Sequence, residues 1–395
     1  MEVARVPLRH ALLLVSATLA VVSATLAVVS ATHHAKRVAI RVACEDCSLV
    51  ESLAEDVWSE ERGPGLPLDV VVPDDALRAL AWAEVPFEVL VTDIDAAADA
   101  EHVRLATTAT ADWFGEFRDY GAITMHLRAL ADLAPDRVAM QSIGNSLEGR
   151  PLWAVRIGHG TPMMINGTQH AREWISAMTT TCVADRLVRD YATDPVIKDF
   201  VDHVALWIVP VANPDGYQYS WREKRYWRKN RRNEVGVDLN RNFSVAWGGP
   251  GSSKSERAET FRGQHAFSEP ESAALRELAL REHVTRHIDF HAYGQLILYP
   301  WNHQKAPAKD RDTFSGLGDR MASAMFAQHG VRYALQPGVD LYPAAGTMTD
   351  WMYGEAGALS YTIELRPKGG SGFVLPPSEI RPTCDEGLAA VLALR

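Results

Sequence analysis

An α/β fold, with a mixed and largely parallel sheet flanked by helices and a small α+β unit ahead of it, is predicted by three features of the sequence. Five strand-like runs beyond residue 112 are mostly continuously apolar, the pattern of strands covered on both faces. Helix-like stretches separate them, as a βα alternation requires. The segment before them has its own shorter strands and helices and a composition of its own. With 395 residues, 47% of them hydrophobic, the chain has material for a sizeable core and for two domains.

The N-terminal segment stands apart. Arg5 and Arg9 precede Ala11–Ala31, a run without charged residues that repeats SATLAVV twice and then starts again with SAT. Coiled-coil heptads would carry charges at their flanking positions, where Ser and Thr recur here. Residues 1–31 therefore read as a secretory signal peptide with a small-residue cleavage site near VVSA. The run is also long enough to span a bilayer, so an uncleaved anchor is the alternative. The first reading makes the protein secreted and extracellular; membrane association follows only from the second.

Residues 36–105 form the small unit. KRVAIRVAC, LDVVVP and FEVLVTDI read as strands, and SLVESLAEDVWSE and DDALRALAWAE as amphipathic helices, the latter opened by Asp74 and Asp75. This unit has no His/Asp/Glu cluster that suggests catalysis. RLATTATAD follows, read as an exposed linker of small polar residues in which Arg104 offers a trypsin-like protease its cut. Four cysteines allow up to two disulfides. Cys44 and Cys47 form a CxxC with no second CxxC or His pair, leaving a local disulfide or two thiols. Cys182, in a helix-like stretch, reads as a small core residue. A net charge of −10 argues against nucleic acid as a partner. WREKRYWRKNRR is the basic exception, read either as a polyanion site or as a solvated basic face.

Beyond residue 112 the strands are LWAVRIG, MMING, VALWIVPVAN, RHIDFHAY and LSYTIEL. His170 and Glu173 follow the end of one, Asn213 ends another, His291 ends HIDF and Glu364 lies near the end of the last. Ligands of open α/β sheets bind at the carboxyl ends of strands, so these scattered residues are expected along one edge. Three residues apart on an opening helical turn, His170 and Glu173 would share a face. Two histidines and a carboxylate are the ligand set of a catalytic zinc with one position open to water. An isolated HxxE is more often a surface salt bridge; His291 and Glu364 at other strand ends make coincidence a poor account.

These residues stand in segments that resemble the zinc carboxypeptidases of the carboxypeptidase A/B type. The matching stretches, in order, are SLEGRPLWAVRIG, GTQHAREWIS, VPVANPDGYQYS, RYWRKNRR, GVDLNRNF, DFHAYGQLILYP, LYPAAGTMTDWMY and YTIELRP. The resemblance implies a catalytic domain over residues 112–395 and makes residues 36–105 the family's inhibitory, ferredoxin-like pro-domain. It implies one Zn2+ per catalytic domain, held by His170, Glu173 and His291, with Asp238 orienting the first histidine. Glu364 matches the general base of a water activated on zinc, and Arg228 the group that stabilises the tetrahedral oxyanion. Asn240 and Arg241 match the pair that grips the substrate's C-terminal carboxylate, and Tyr342 the tyrosine that closes over it. Arg172 matches the lining of the subsite upstream of the scissile bond.

Substrates are then peptide and protein C-termini, and the chain is a zymogen activated by a trypsin-like protease at the linker. Thr349, seven positions after Tyr342, would floor the pocket for the terminal side chain. It carries no charge to pair with a cation, so apolar or aromatic termini are expected. Asp340 and Asp350 are near enough in sequence to complicate this. The family pattern also implies a cis bond between Arg366 and Pro367. Two departures stand out: Glu234 occupies the place of a cysteine bridged in animal members, and Pro343 follows Tyr342. An inactive binding module would lack Glu364 or Arg228, and a zinc amidase or cell-wall peptidase would lack the Asn240/Arg241 pair.

Overall fold

The structure, a computed structural model, describes residues 36–59, 67–107, 112–370 and 372–395. The predicted signal peptide lies outside the described residues.

The small unit runs β1 (Arg37–Ala43), α1 (Ser48–Leu53), β2 (Asp56–Val57), β3 (Pro67–Pro73), α2 (Ala76–Trp82), β4 (Phe87–Val91) and α3 (Ile94–Thr107). Its antiparallel sheet has the order β2-β3-β1-β4. Alternation explains its two apolar faces: Val38, Ile40 and Val42 pack with Val70, Val72 and Leu80, while Ala39 and Val71 face the core of the large unit. Two expectations are corrected. The helix expected through Glu60 stops at Leu53, because Asp56 and Val57 pair with Val71 and Val70 and Trp58 is buried. One helical turn has little stability of its own, so sheet pairing and burial of Trp58 prevail. The expected linker also starts too early: α3 runs to Thr107, and Arg104 within it is paired with Glu101 and Glu116.

The large unit contains β5 (Val138–Asn145), β6 (Pro151–Ile157), β7 (Thr161–Gly167), β8 (Val204–Val209), β9 (Arg286–Ala292), β10 (Leu296–Tyr299), β11 (Ala334–Pro337) and β12 (Leu359–Leu365). Its helices are α4 (Tyr120–Leu133), α5 (Trp174–Arg189), α6 (Pro195–His203), α7 (Pro214–Arg222), α8 (Pro270–Arg281), α9 (Arg311–His329), α10 (Met348–Gly354) and α11 (Ile380–Leu394). The sheet order is β11-β10-β12-β9-β7-β8-β6-β5. The central strands β12, β9, β7 and β8 run parallel, with antiparallel pairings to either side. Both faces are covered, as the apolar runs require. Met163, Ile165, Leu206 and Ile208 pack with α5, α6, α9 and α11, while Met164, Trp207 and Val209 pack with α8 and α10.

Cys44 and Cys47 form the local disulfide, one of the two readings left open. Cys182 is not a lone core residue: it bridges α5 to α11 through Cys384. The Arg366–Pro367 bond is cis, as expected, and so are Ala292–Tyr293 and Pro300–Trp301. Among the described residues no helix is long and apolar enough to cross a membrane.

Candidate active site

The carboxyl ends of the four central strands meet at one cluster. After β7 the chain turns at Thr168, whose φ is +60°, and Glu173 immediately precedes α5. The HxxE pair therefore sits in the turn before the helix rather than on its first turn, as had been expected; the Glu173 N–H donating to the His170 carbonyl closes that turn at 3.2 Å. Asn213, at the end of the β8 connection, donates from Nδ2 to the carbonyls of Gln169 and Lys229 (3.0 Å each), bracing two loops of the site at once.

His170 Nδ1 lies 2.7 Å from Glu173 Oε1, His291 Nδ1 lies 3.0 Å from Glu173 Oε2, and the two Nδ1 atoms are 3.0 Å apart. All three side chains are buried. Each imidazole turns its other nitrogen to a carboxylate: His170 Nε2 is 3.1 Å from Asp238 Oδ1, and His291 Nε2 is 2.9 Å from Asp289 Oδ2. An imidazole that donates from Nε2 presents a lone pair at Nδ1. Two such lone pairs and two carboxylate oxygens then converge, which is repulsive unless a cation sits between them. Burial alone would raise the Glu173 carboxyl, yet His170 and His291 hold it well below the usual range. Burial would likewise lower His291, but Asp289 and Glu173 carry it well above its ordinary value. The centre calls for positive charge, and its donor set fits zinc, with each histidine oriented by a carboxylate behind it.

Glu364 on β12 stands opposite His291 on β9 in the parallel register. With His170, Asn240, Arg241 and Tyr342 it lines a cavity of about 30 Å³, room for a water or two. Asn240 accepts the Met348 N–H at 2.9 Å through Oδ1. Arg241 donates to the Gly251 and Asn240 carbonyls and, from Nη2, to the Tyr342 hydroxyl at 2.7 Å. A second cavity, of about 220 Å³, adjoins Arg172, Arg228, Arg241 and Tyr342. Arg228 donates to Asp238 Oδ2 at 3.0 Å. Burial would raise Asp238, but Arg228, Arg241 and His170 hold its carboxyl far below the usual range.

A model of the zinc carboxypeptidase family matches residues 123–390. The chain belongs to the zinc carboxypeptidase family. It is 30% identical over 375 residues to carboxypeptidase A1 of Mus musculus, covering 87% of each chain, and 33% identical over 326 residues to carboxypeptidase B2 of Bos taurus, covering 78% and 77%. Among solved structures it is similar to thrombin activatable fibrinolysis inhibitor, with a TM-score of 0.85 at 29% identity over 91% of this chain and 98% of that one. The carboxypeptidase A of Helicoverpa armigera gives 0.80 at 28% identity over 92% and 98%. The protein is thus a zinc metallocarboxypeptidase, an exopeptidase acting at peptide C-termini.

In this carboxypeptidase the small unit lies against the site. Asp56 of β2 accepts from Arg172 Nη1 at 2.6 Å, and the Val57 carbonyl accepts from Nη2 at 3.4 Å. Trp58 beside them packs on Tyr226 and Phe373, with ring centroids 5.1 and 5.6 Å away. The centre of the basic run turns inward: Arg225, Arg228 and Lys229 are buried, while Arg222 and Lys224 stay exposed. Arg225 pairs with Glu101 and lies over Trp174, Lys229 donates to the Glu256 and Ala258 carbonyls, and Arg232 pairs with Glu269.

Around these residues the structure adjusts two expectations and adds contributors that carry no local sequence pattern. Thr349 is fully buried behind the cavity, its hydroxyl 2.5 Å from that of Thr362, and it is Thr362 that lines the wall. Asp350 is enclosed by donors from Asn302 and His303 and does not reach the pocket as a charge. Asp289, behind His291, accepts from Asn166 and Gln169 at 2.6 Å each. Behind the Arg228 loop, Asn230 donates to the buried carboxylates of Glu269 and Glu271. Burial, and then the charges of Glu269 and Asp215, push Glu271 up to about 7. Asp289 is visible in the sequence, two residues before His291 in HIDFH; the others are two-body facts with no local pattern.

Proposed function

We propose that the protein is a secreted zymogen that removes single C-terminal residues, with a preference for uncharged side chains, apolar or aromatic among them. His170, Glu173 and His291 would hold the zinc, which when bound supplies Lewis acidity at the scissile carbonyl and lowers the pKa of a water. Arg241, a planar donor, and Asn240 Nδ2 bind the terminal carboxylate, which places the last peptide bond beside Glu364. Glu364 takes a proton from the attacking water and returns it to the leaving amine. Arg228 donates to the oxygen that gains charge, its own position fixed by Asp238. Tyr342, already on Arg241, closes the mouth of the cavity and excludes water.

The observation that carries this reading is the gathering of Glu364, Asn240, Arg241 and His170 around one cavity. A carboxylate clamp beside a metal set and a base suits cleavage at a free C-terminus, which an endopeptidase does not need. The zymogen reading rests on Asp56 and Val57, which occupy the Arg172 guanidinium that an upstream peptide carbonyl would use. Two disulfides suit the oxidising compartment that secretion implies. The test is release of the terminal amino acid, or of its amide, from peptides with free or amidated C-termini respectively, with and without a chelator. Equal cleavage of the amidated peptides would overturn the assignment of Asn240 and Arg241.

A further inference from the structure

The inner wall of the cavity carries a polar group for which the mechanism above has no use. Asn302 donates from Nδ2 to Asp350 Oδ1 at 2.8 Å, and its backbone N–H lies 2.9 and 3.1 Å from the two oxygens of the same carboxylate. Backbone N–H groups of Asn302 and His303 also point at both oxygens of Asp350, which is therefore the acceptor, so the Asn302 amide has one orientation, with its nitrogen toward Asp350 and its oxygen away. That oxygen rests against Gly338, where an added Cβ would stand 1.8 Å from it. Asn302, Gly338 and Thr362 line the same cavity as Asn240 and Arg241. Among the described residues none donates a hydrogen bond to Asn302 Oδ1. The Asp350 carboxyl behind this wall is saturated by its four donors from Asn302 and His303.

We propose that Asn302 Oδ1 is a specificity determinant: it accepts a hydrogen bond from the side chain of the departing C-terminal residue. The inference rests on the exopeptidase reading and narrows its substrate class to uncharged termini that can donate, such as Gln and Tyr. The rival is a wall that merely tolerates them. The cavity of about 30 Å³ is smaller than any of these side chains, so the terminus enters only as Tyr342 leaves Arg241; an apolar one then takes Oδ1 out of water and returns nothing, whereas a donor of the same size replaces the water. Full cations gain less, because the amide oxygen offers a dipole rather than a charge to offset their desolvation. The geometry also accounts for Gly338, since a side chain there would push the oxygen aside.

The experiment measures kcat/KM on the zinc-loaded protein, before and after limited trypsin treatment, for four peptides identical except for a terminal Gln, Met, Tyr or Phe. Gln over Met and Tyr over Phe should each exceed about fivefold, and in Asn302→Ala both ratios should fall toward one. If that variant does not fold, Gly338→Ala, which displaces the same oxygen, is read in its place. Wild-type ratios at or below one, or ratios unchanged in the variant that folds, would overturn the proposal. Failure to release any of the four terminal residues would instead sink the exopeptidase reading on which it rests, so the two failures are distinguishable.

Discussion

Glu271→Gln should make the protein more stable in alkaline solution and not in acid. Unfolded, Glu271 loses its proton near its ordinary pKa of 4.5; folded, burial beside Glu269 and Asp215 raises it to about 7. Between those values the folded state binds more protons than the unfolded one, so stability falls as pH rises through that window and levels off above it. The span from 4.5 to about 7, at 1.36 kcal/mol per unit, makes this loss about 3 kcal/mol. Glutamine removes the charge but adds a donor where the Leu147 N–H and Asn230 Nδ2 both seek an acceptor, at a cost of about 1 kcal/mol. The variant should therefore be level with wild type or about 1 kcal/mol weaker near pH 5, and about 2 kcal/mol stronger near pH 8.5. Urea melts of the zinc-saturated proteins at both pH values read this directly, with equal slopes required for the comparison. A shift of the same sign and size at both pH values would show that Glu271 is not the group that titrates.

Three further outcomes test the site. Glu364→Gln should retain zinc and lose at least about a hundredfold in kcat, whereas His291→Ala should lose metal and activity together; near-normal turnover by the Gln variant would remove Glu364 from its role. Asp289→Asn should weaken zinc binding by about 10–100-fold in chelator competition, because one amide oxygen replaces the two carboxylate oxygens that serve His291, Asn166 and Gln169; an unchanged affinity would leave Asp289 a packing residue. Asp56→Asn should raise the activity of the uncut chain, since the ion pair that occupies Arg172 is lost; no change would place the block elsewhere in the small unit.

What the sequence made legible, and what it hid, divides along a physical line. The two-sided burial of Met163 to Ile165 and of Leu206 to Val209 is written in their lack of alternation, so the sheet could be read before it was seen. His170, Glu173, His291 and Glu364 were findable because strand ends concentrate chemistry and because their motifs resemble a known family. Asp56 reads as helical in the sequence, since a two-residue edge strand has no period to detect and its partner Arg172 lies far along the chain. Thr349, expected at the pocket floor, is fully buried with its hydroxyl on that of Thr362, and Thr362 lines the cavity. Cys182 pairs with Cys384 across a sequence separation of 202 residues, and connectivity of that kind leaves no trace in spacing.

That bridge constrains how the protein is made. Cys182 and Cys384 are both completely enclosed, at 0% and 1% exposure, so no oxidoreductase can reach them once α5 and α11 have docked. Oxidation has to occur while the helices are still loosely associated, in whatever compartment the chain first collapses. A chain that matures under reducing conditions would carry the pair into the interior as thiols, and repair by a later oxidant would wait on opening of the α5–α11 contact. Two preparations with one sequence and one fold could then differ in durability, by an amount set by the timing of oxidation during biosynthesis.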